Sequence, residues 1–565
     1  MKDVKIFNWI TQYLFSLALT TAAALIYYLM YRLPLLGIDD ANIYFTYMKN
    51  FADGLGFVYN QGGERVEGFT SILYTLIGSA IFLFTNNIET VLYIINILAV
   101  SYLIFKVSVF IYNLNDRKYN ISAITLLLTL LLFVMPGYFF WTTLSLMESG
   151  IWSLLLCLAI LAIFDENTFS NRLKFIILVA VLLVTRPEAY FWAFYLIVLR
   201  GLFHYLYHKH TLRRVFKENW LFLFTFIFVL GFLLLWRYNY FGYLFPNTYY
   251  AKVYGSFWYN FKLGIEYLFS FLIYTNPLIL LTLISISYVT MIKFKDVGYP
   301  EVVQLIIALI ILVALAIPVA LGGDYFKWNR FYIVFLPVMY LPLFNLGFID
   351  KYILRLKNLN GIFKRNKYVF YFALAVLISF TPRESMHELM RGKSLGNSFY
   401  IEVSRNGQEL SNFLNDFFDE QVLPKVSVVA AGMAYKYKGN TFDLMGLNNT
   451  KMAHSGHRIH GFKNHDSFNK EVFFQERPDI IFDGLPAMIV SDTNTVFVDI
   501  YNDDFKSKFI NKALDEIWFE EKFQVMYKPV IITKKKTSEH LFTWANIEYL
   551  LNLDSTIYSI KHIPY

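Results

Sequence analysis

Apolar residues dominate the first two thirds of the chain in long runs separated by short polar breaks. A bilayer core takes about 20 apolar residues per helix, with a range of roughly 17–25. Eleven runs meet or approach that length: 9–33, 88–112, 120–140, 149–164, 172–185, 188–206, 219–241, 266–292, 301–321, 331–349 and 367–381. The runs at 149–164, 172–185 and 367–381 are the shortest. Past residue 381 the pattern changes. "KVSVVAAG" (425–432) is a short apolar run ending in Ala-Gly, as a buried strand does. "NTFDLMGLNN" and "PDIIFDGL" read as further strand-and-turn segments, and helical periodicity appears around 401–419 and 507–521. The pattern predicts a polytopic α-helical membrane domain of about eleven transmembrane helices over 1–381 and a soluble α/β domain over 382–565.

A twelfth run, "FTSILYTLIGSAIFLFT" (69–85), would invert every later segment if it crossed the membrane. Charge decides against that. With 69–85 held in or near the interface, as part of a large first outer loop over 34–87, the basic loops share one side. These are "NDRK", "NRLK", "HKHTLRRVFK", "KFK" and "DKYILRLKNLNGIFKRNK", joined by Lys2 and Lys5. Cytoplasmic loops carry such an excess. The expected arrangement is a multi-pass cytoplasmic-membrane protein with its N-terminus inside, an uncleaved first helix, and its C-terminal domain outside.

Composition agrees. Only 16% of the 565 residues are charged, against about a quarter in soluble chains. The net +8 is unevenly spread: residues 382–565 hold 21 Lys+Arg against 24 Asp+Glu, so the basic excess lies among the apolar runs. The soluble region therefore offers no basic footprint for nucleic acid. The single cysteine, Cys157, excludes an intrachain disulfide.

The outer side collects the unusual polar motifs. The doublet Asp39–Asp40 follows the first run directly. One carboxylate there could act as a base, hold a metal or bind a sugar hydroxyl; the alternative is a helix N-cap. "RVEGFT" brings Arg65 and Glu67, which could simply pair with each other. "MESG" brings Glu148, which could serve a helix dipole. In "TRPEAY", Arg186 and Glu188 flank Pro187 in an apolar setting where unpaired charge is costly. "FPNTYYAK" supplies Asn247, Tyr249 and Lys252, alternatively an interfacial aromatic belt. "GGDYFKWNR" supplies Asp324 and Arg330. The segment "HSGHRIHGFKNH" places His454, His457, His460 and His465 at spacings that could ligate zinc; a polar loop turned back toward the membrane is the reading we prefer.

In order along the chain, "DDANIYFTYMKNFADGLGFVYNQGGERVEGFTS", "MESGIWSLLL", "TRPEAYFW", "YLFPNTYYAK", "GGDYFKWNRF" and "DLMGLNN" resemble GT-C glycosyltransferases. They are most similar to the mycobacterial arabinofuranosyltransferases that use decaprenyl-phosphate arabinose. The resemblance implies a first outer loop carrying the catalytic carboxylate, here Asp40 or Asp39. It also implies a polyprenyl-phosphate sugar donor between membrane helices and outer domain. The expected activity is transfer of a sugar, a pentofuranose on this likeness, to a cell-envelope glycan or glycoconjugate. Lys252, Arg330 or Arg186 would steady the departing phosphate. No cofactor is assigned, and a divalent metal is left open. Two alternatives remain: a transporter or flippase of a lipid-linked glycan, and a non-catalytic scaffold whose C-terminal domain binds wall glycan.

Overall fold

In the computed structural model, residues 2–32, 34–135, 137–252, 257–275, 298–345, 398–428, 431–456, 467–481, 489–490, 516–517 and 520–563 are described. Among the described residues, five helices are long and apolar enough to cross a membrane: Asn8–Met30 (the apolar part of Lys2–Tyr31), Ile88–Leu114, Ala189–Leu206, Leu212–Phe241 and Tyr299–Ala320. Their ends follow local chemistry. Thr211 accepts the Arg214 N–H to start Leu212–Phe241, and Gly242, at φ 84, closes it in the left-handed conformation that glycine adopts without strain.

The shorter apolar runs form shorter elements. Ile121–Phe133 is capped by Asn120, and Phe169–Leu183 by Thr168. Ser149–Leu161 continues into a single 3-10 turn, Ala162–Phe164. The run at 69–85 yields only Ile72–Phe82, 11 residues, capped by Ser71. At ~1.5 Å per residue that is too short to cross a bilayer. The run at 331–349 is not one helix as far as it is described. It breaks into Arg330–Ile333, Leu336–Met339 and Leu341–Phe344. Pro337 and Pro342 lack the N–H that a continuous helix needs. The run at 266–292 is described as far as 275, where Phe257–Phe269 passes into a π-helical turn, Ser270–Thr275. The run at 367–381 lies outside the described residues.

Seven short strands form one sheet in the C-terminal region: β1 Val426–Val428, β2 Thr441–Asp443, β3 Ile480–Ile481, β4 Ile489–Val490, β5 Tyr527–Lys534, β6 Glu539–Asn546 and β7 Tyr558–His562. The order is β2-β1-β3-β6-β5-β7, with β4 also on β6. β1 runs parallel to β2 and β3, while β5, β6 and β7 are antiparallel. The expected strands at 425–432, in "NTFDLMGLNN" and in "PDIIFDGL" are β1, β2 and β3. The helix Ser398–Phe417 covers the expected 401–419; of 507–521 only the end is described.

This region is fastened to segment 34–87 by side-chain hydrogen bonds. Buried Asn42 donates to Ser404 Oγ (2.7 Å) and accepts from Gln408 Nε2 (2.8 Å). Asn60 brackets Thr441, donating to its carbonyl (2.7 Å) and accepting its N–H (2.9 Å). Gly68 sits so close to Asn448 that a Cβ there would lie 1.9 Å from its Oδ1. A side chain at position 68 would push the two bodies apart.

Candidate active site

Asp39 and Asp40 open the helix Asp39–Ala52, whose N-cap is Ile38. Neither aspartate is therefore the cap; both lie inside the first turn, where the helix dipole favours a carboxylate. They face different ways. Asp39 Oδ1 accepts the Gly432 N–H of the C-terminal region at 3.0 Å. Asp40 Oδ2 lies 3.6 Å from Arg330 Nη1.

Arg330 is held on its other side by Asp324, through Nε and Oδ2. Asp324 is almost fully buried, whereas Asp40 keeps 18% of its side chain exposed, so Asp40 is the carboxylate that water and a substrate can reach. The Phe326 ring lies 4.2 Å from the guanidinium, and Trp141 packs nearby at 5.6 Å. The backbone before Arg330 is strained: Trp328 and Asn329 both take positive φ, 65 and 50. For a bulky side chain that costs on the order of 1–3 kcal/mol. Asn329 Nδ2 bonds the Tyr267 carbonyl (3.2 Å), which helps hold the turn.

A second charged group adjoins the first. Arg186 lies between Glu148, which is fully buried, and Glu188, 2.6 Å from its Nε. Glu148 also accepts from Thr70 Oγ1 (3.4 Å), and Thr70 meets the Tyr44 hydroxyl (2.8 Å). The preceding Leu146 is buried at φ 53, and its carbonyl takes the Tyr74 hydroxyl (2.7 Å). Lys252, at the end of Asn247–Lys252, is within electrostatic reach of both groups. Burial pushes its ammonium below the usual lysine range; Asp40 and Asp324 oppose that, and Arg330 and Arg186 add to it.

Arg186 and Arg330 line one crevice. With Glu188 they share a cavity of about 110 Å³ that is also lined by Trp152, Trp192, Ile317, Leu321, Phe331 and Phe335. A second, polar cavity of about 310 Å³ lies between segment 34–87 and the C-terminal region, lined by Asn60, Glu64, Thr441, Asn449, Lys451 and Glu476 among others.

Other candidates are placed elsewhere. Glu67 is buried against Arg237, not Arg65, with Nε–Oε2 at 2.9 Å and Nη2–Oε1 at 2.8 Å. Arg65 is exposed and stacks 4.7 Å from the Tyr240 ring. Asn247 holds the Gly446 and Leu447 carbonyls (2.8 and 3.0 Å) and so fastens the C-terminal region. Tyr249 is exposed beside Phe245. His454 stacks on Tyr243 and Tyr250. His457, His460 and His465 lie outside the described residues. Among the described residues, no cluster of three metal-ligating side chains forms at the Asp40–Arg330 end.

No protein-family model matches the chain, and no curated protein does. Among solved structures it is similar to the Archaeoglobus fulgidus oligosaccharyltransferase, crystallised with zinc and sulfate. The TM-score is 0.47 and the identity 13%, over 97% of this chain and 75% of that one. That likeness is too distant to support a function.

Two roles escaped the sequence reading. Arg237, the partner of Glu67, carried a signal: an arginine inside the apolar run "FLLLWRYNYF" must find a counter-ion. Asp443, in "DLMGLNN", accepts the N–H groups of Met445 and Asn448 (both 2.9 Å) and the Asn448 side chain (2.9 Å). Burial raises its carboxyl above the usual range, with those bonds opposing. It shapes the turn that reaches Asn247 and Tyr47.

Proposed function

We propose that the protein is a membrane glycosyltransferase that moves a sugar from a polyprenyl-phosphate donor to an envelope glycan or glycoconjugate on the outer face of the cytoplasmic membrane. The carrying observation is that Arg186 and Arg330 line the same crevice as the aromatic and aliphatic side chains of Trp152, Trp192, Ile317, Leu321, Phe331 and Phe335. An anionic headgroup on a hydrocarbon chain matches both surfaces: the arginines pair with phosphate in a planar fork, and the walls accept the chain. The ordered motifs that resemble GT-C enzymes supply most of this reading, including a pentofuranose as the sugar.

In this scheme the phosphate sits at Arg330 and Arg186, with Lys252 beside them. An acceptor hydroxyl attacks the anomeric carbon as the bond from that carbon to the phosphate oxygen breaks. The hydroxyl proton passes to Asp40, and the polyprenyl phosphate leaves with the electron pair. The cations stabilise the charge developing on it. Arg330, 3.6 Å from Asp40 Oδ2, lies beside the carboxylate that accepts. The polar cavity at Asn60 and Lys451 is where an acceptor chain would lie. Asp39, fastened to Gly432, holds the C-terminal region over the site.

A transporter reading has less support. The charged groups gather at one end of the helices, whereas transporters place them near the midplane. Binding of a polyprenyl monophosphate to the purified protein, measured by native mass spectrometry, tests the donor site. Loss of one charge-assisted contact should weaken it ~10–100-fold in Arg330→Met and in Lys252→Met. Unchanged affinity in both variants would remove the phosphate role.

A further inference from the structure

At the far end of the helix Ala189–Leu206, some 27 Å from Glu188 at ~1.5 Å per residue, the chain turns through "YHKHT" into Leu212–Phe241. Lys209 takes φ 53 there, and the His210 N–H reaches the His204 carbonyl (3.4 Å). The turn thereby folds His210 back over His204. Glu218, on the second helix, meets His210 Nδ1 through Oε2 at 3.1 Å. The ligating atoms of His204, His210 and Glu218 all lie within 4.8 Å of one another.

His204 is the unusual member. It is 1% exposed, and neither ring nitrogen has a hydrogen-bond partner. A buried imidazole always carries at least one N–H or lone pair to satisfy, and leaving such a group unmet costs ~1–3 kcal/mol. Packing alone gives no reason to keep a histidine there. We propose that His204, His210 and Glu218 bind a divalent transition-metal ion, with zinc the best fit. Two imidazoles and one carboxylate suit zinc; magnesium and calcium prefer all-oxygen sets. Donors about a tetrahedral zinc stand ~3.3–3.5 Å apart, from bonds of ~2.0–2.2 Å. Closing from 4.8 Å needs only side-chain rotation.

The surroundings allow it. Arg214 Nε bonds the other Glu218 oxygen (2.9 Å) and orients the carboxylate, as outer partners of metal ligands do. Arg200, one turn before His204, is turned to the Ala162 and Ile163 carbonyls. Exposed His208 has its ring 5.1 Å from that of His204 and can complete the shell, as can water. The ion would staple the two helices at the end away from Asp40, independently of the transfer chemistry.

The test uses the full-length protein in detergent, stripped with a chelator. Zn²⁺ binding is measured by equilibrium dialysis, and Co²⁺ serves as a spectroscopic probe. Because His204 is buried in the packing between helices, His210→Ala and Glu218→Gln carry the comparison, with thermal unfolding as the check on folding. Wild type should bind one more equivalent than either variant and show the visible bands of tetrahedral Co²⁺. Affinity at that equivalent should drop more than ~100-fold in the variants, beyond the ~10–100-fold lost with a supporting residue. Equal stoichiometry and spectra in wild type and folded variants, or no binding by wild type, would overturn the site.

Discussion

Replacing Arg237 with methionine tests how segment 34–87, which carries Glu67, is anchored. Arg237 and Glu67 are each 2% exposed, and the Arg237 guanidinium grips the carboxylate through two nitrogens and also bonds the Tyr190 hydroxyl. Methionine removes the cation and leaves Glu67 buried without it. Breaking a buried pair from one side costs ~3–5 kcal/mol. Each kcal/mol is worth ~2–4 °C in domains of 150–250 residues and less in a larger chain, so the midpoint should fall by roughly 5–10 °C. The loss should also depend on pH. Burial already raises the Glu67 carboxyl above its ordinary value of 4.5, against the pull of Arg237. Without Arg237 it rises further. A raised folded-state value favours the folded protein below the ordinary value and loses that contribution as pH climbs through the raised one. The variant should therefore lie close to wild type near pH 5 and fall away toward pH 8. Scanning fluorimetry in detergent at fixed heating rate measures this. The double variant Glu67→Leu/Arg237→Met should recover most of the loss, since an apolar pair replaces a buried ion pair at little cost. An unchanged midpoint in Arg237→Met, or a loss that is the same at all pH values, would refute the reasoning.

Gly68→Ala forces a Cβ against Asn448 and Tyr47; overpacking of this kind costs ~1–3 kcal/mol, and limited proteolysis should show the C-terminal region released faster. Donor binding should be lost as pH rises through the depressed Lys252 value, below the ordinary 10.5; Lys252→Arg should move that limb upward. Asp39→Asn should be tolerated in both stability and turnover, because an amide oxygen still accepts the Gly432 N–H. Cysteines placed at exposed Glu64, Lys209 and Lys438, against a background whose one native thiol is buried, should be labelled by an impermeant reagent in intact cells at 64 and 438 but not at 209.

Long-period patterns in the sequence carried through to structure. The runs at 9–33, 88–112, 188–206, 219–241 and 301–321 became continuous helices because apolar length alone decides such elements. "VSV" (426–428) became a strand and is buried on both faces. The broken run at 331–349 shows where hydropathy misleads: "FYIVFLPVMYLPLF" is apolar enough to span, but its prolines interrupt the hydrogen-bond ladder. Pairings were less legible. Glu67 and Arg237 are 170 residues apart, and nothing local in "RVEGFT" names the partner. The split of the doublet, with Asp39 to Gly432 and Asp40 to Arg330, depends on which way two adjacent side chains turn on a helix end. Only the packed C-terminal region fixes that. His204 was hidden for a different reason: inside the apolar run 188–206 it reads as one polar residue near the end of a membrane helix, and only the fold brings His210 and Glu218 to it.

The central claim is that Asp40 takes the proton in a lipid-phosphate-dependent transfer. Mass spectrometry of lipid extracts and surface glycans tests it most directly, in a deletion strain complemented with wild type or with Asp40→Asn. The amide keeps the side chain's size but cannot accept the hydroxyl proton, and loss of a general base costs ~10²–10⁴ in rate. The account predicts that wild type restores the glycan. The Asp40→Asn strain, with the protein expressed and inserted, should lack one sugar and accumulate its polyprenyl-phosphate donor. Full restoration by Asp40→Asn, or a deletion strain with both pools unchanged, would contradict it.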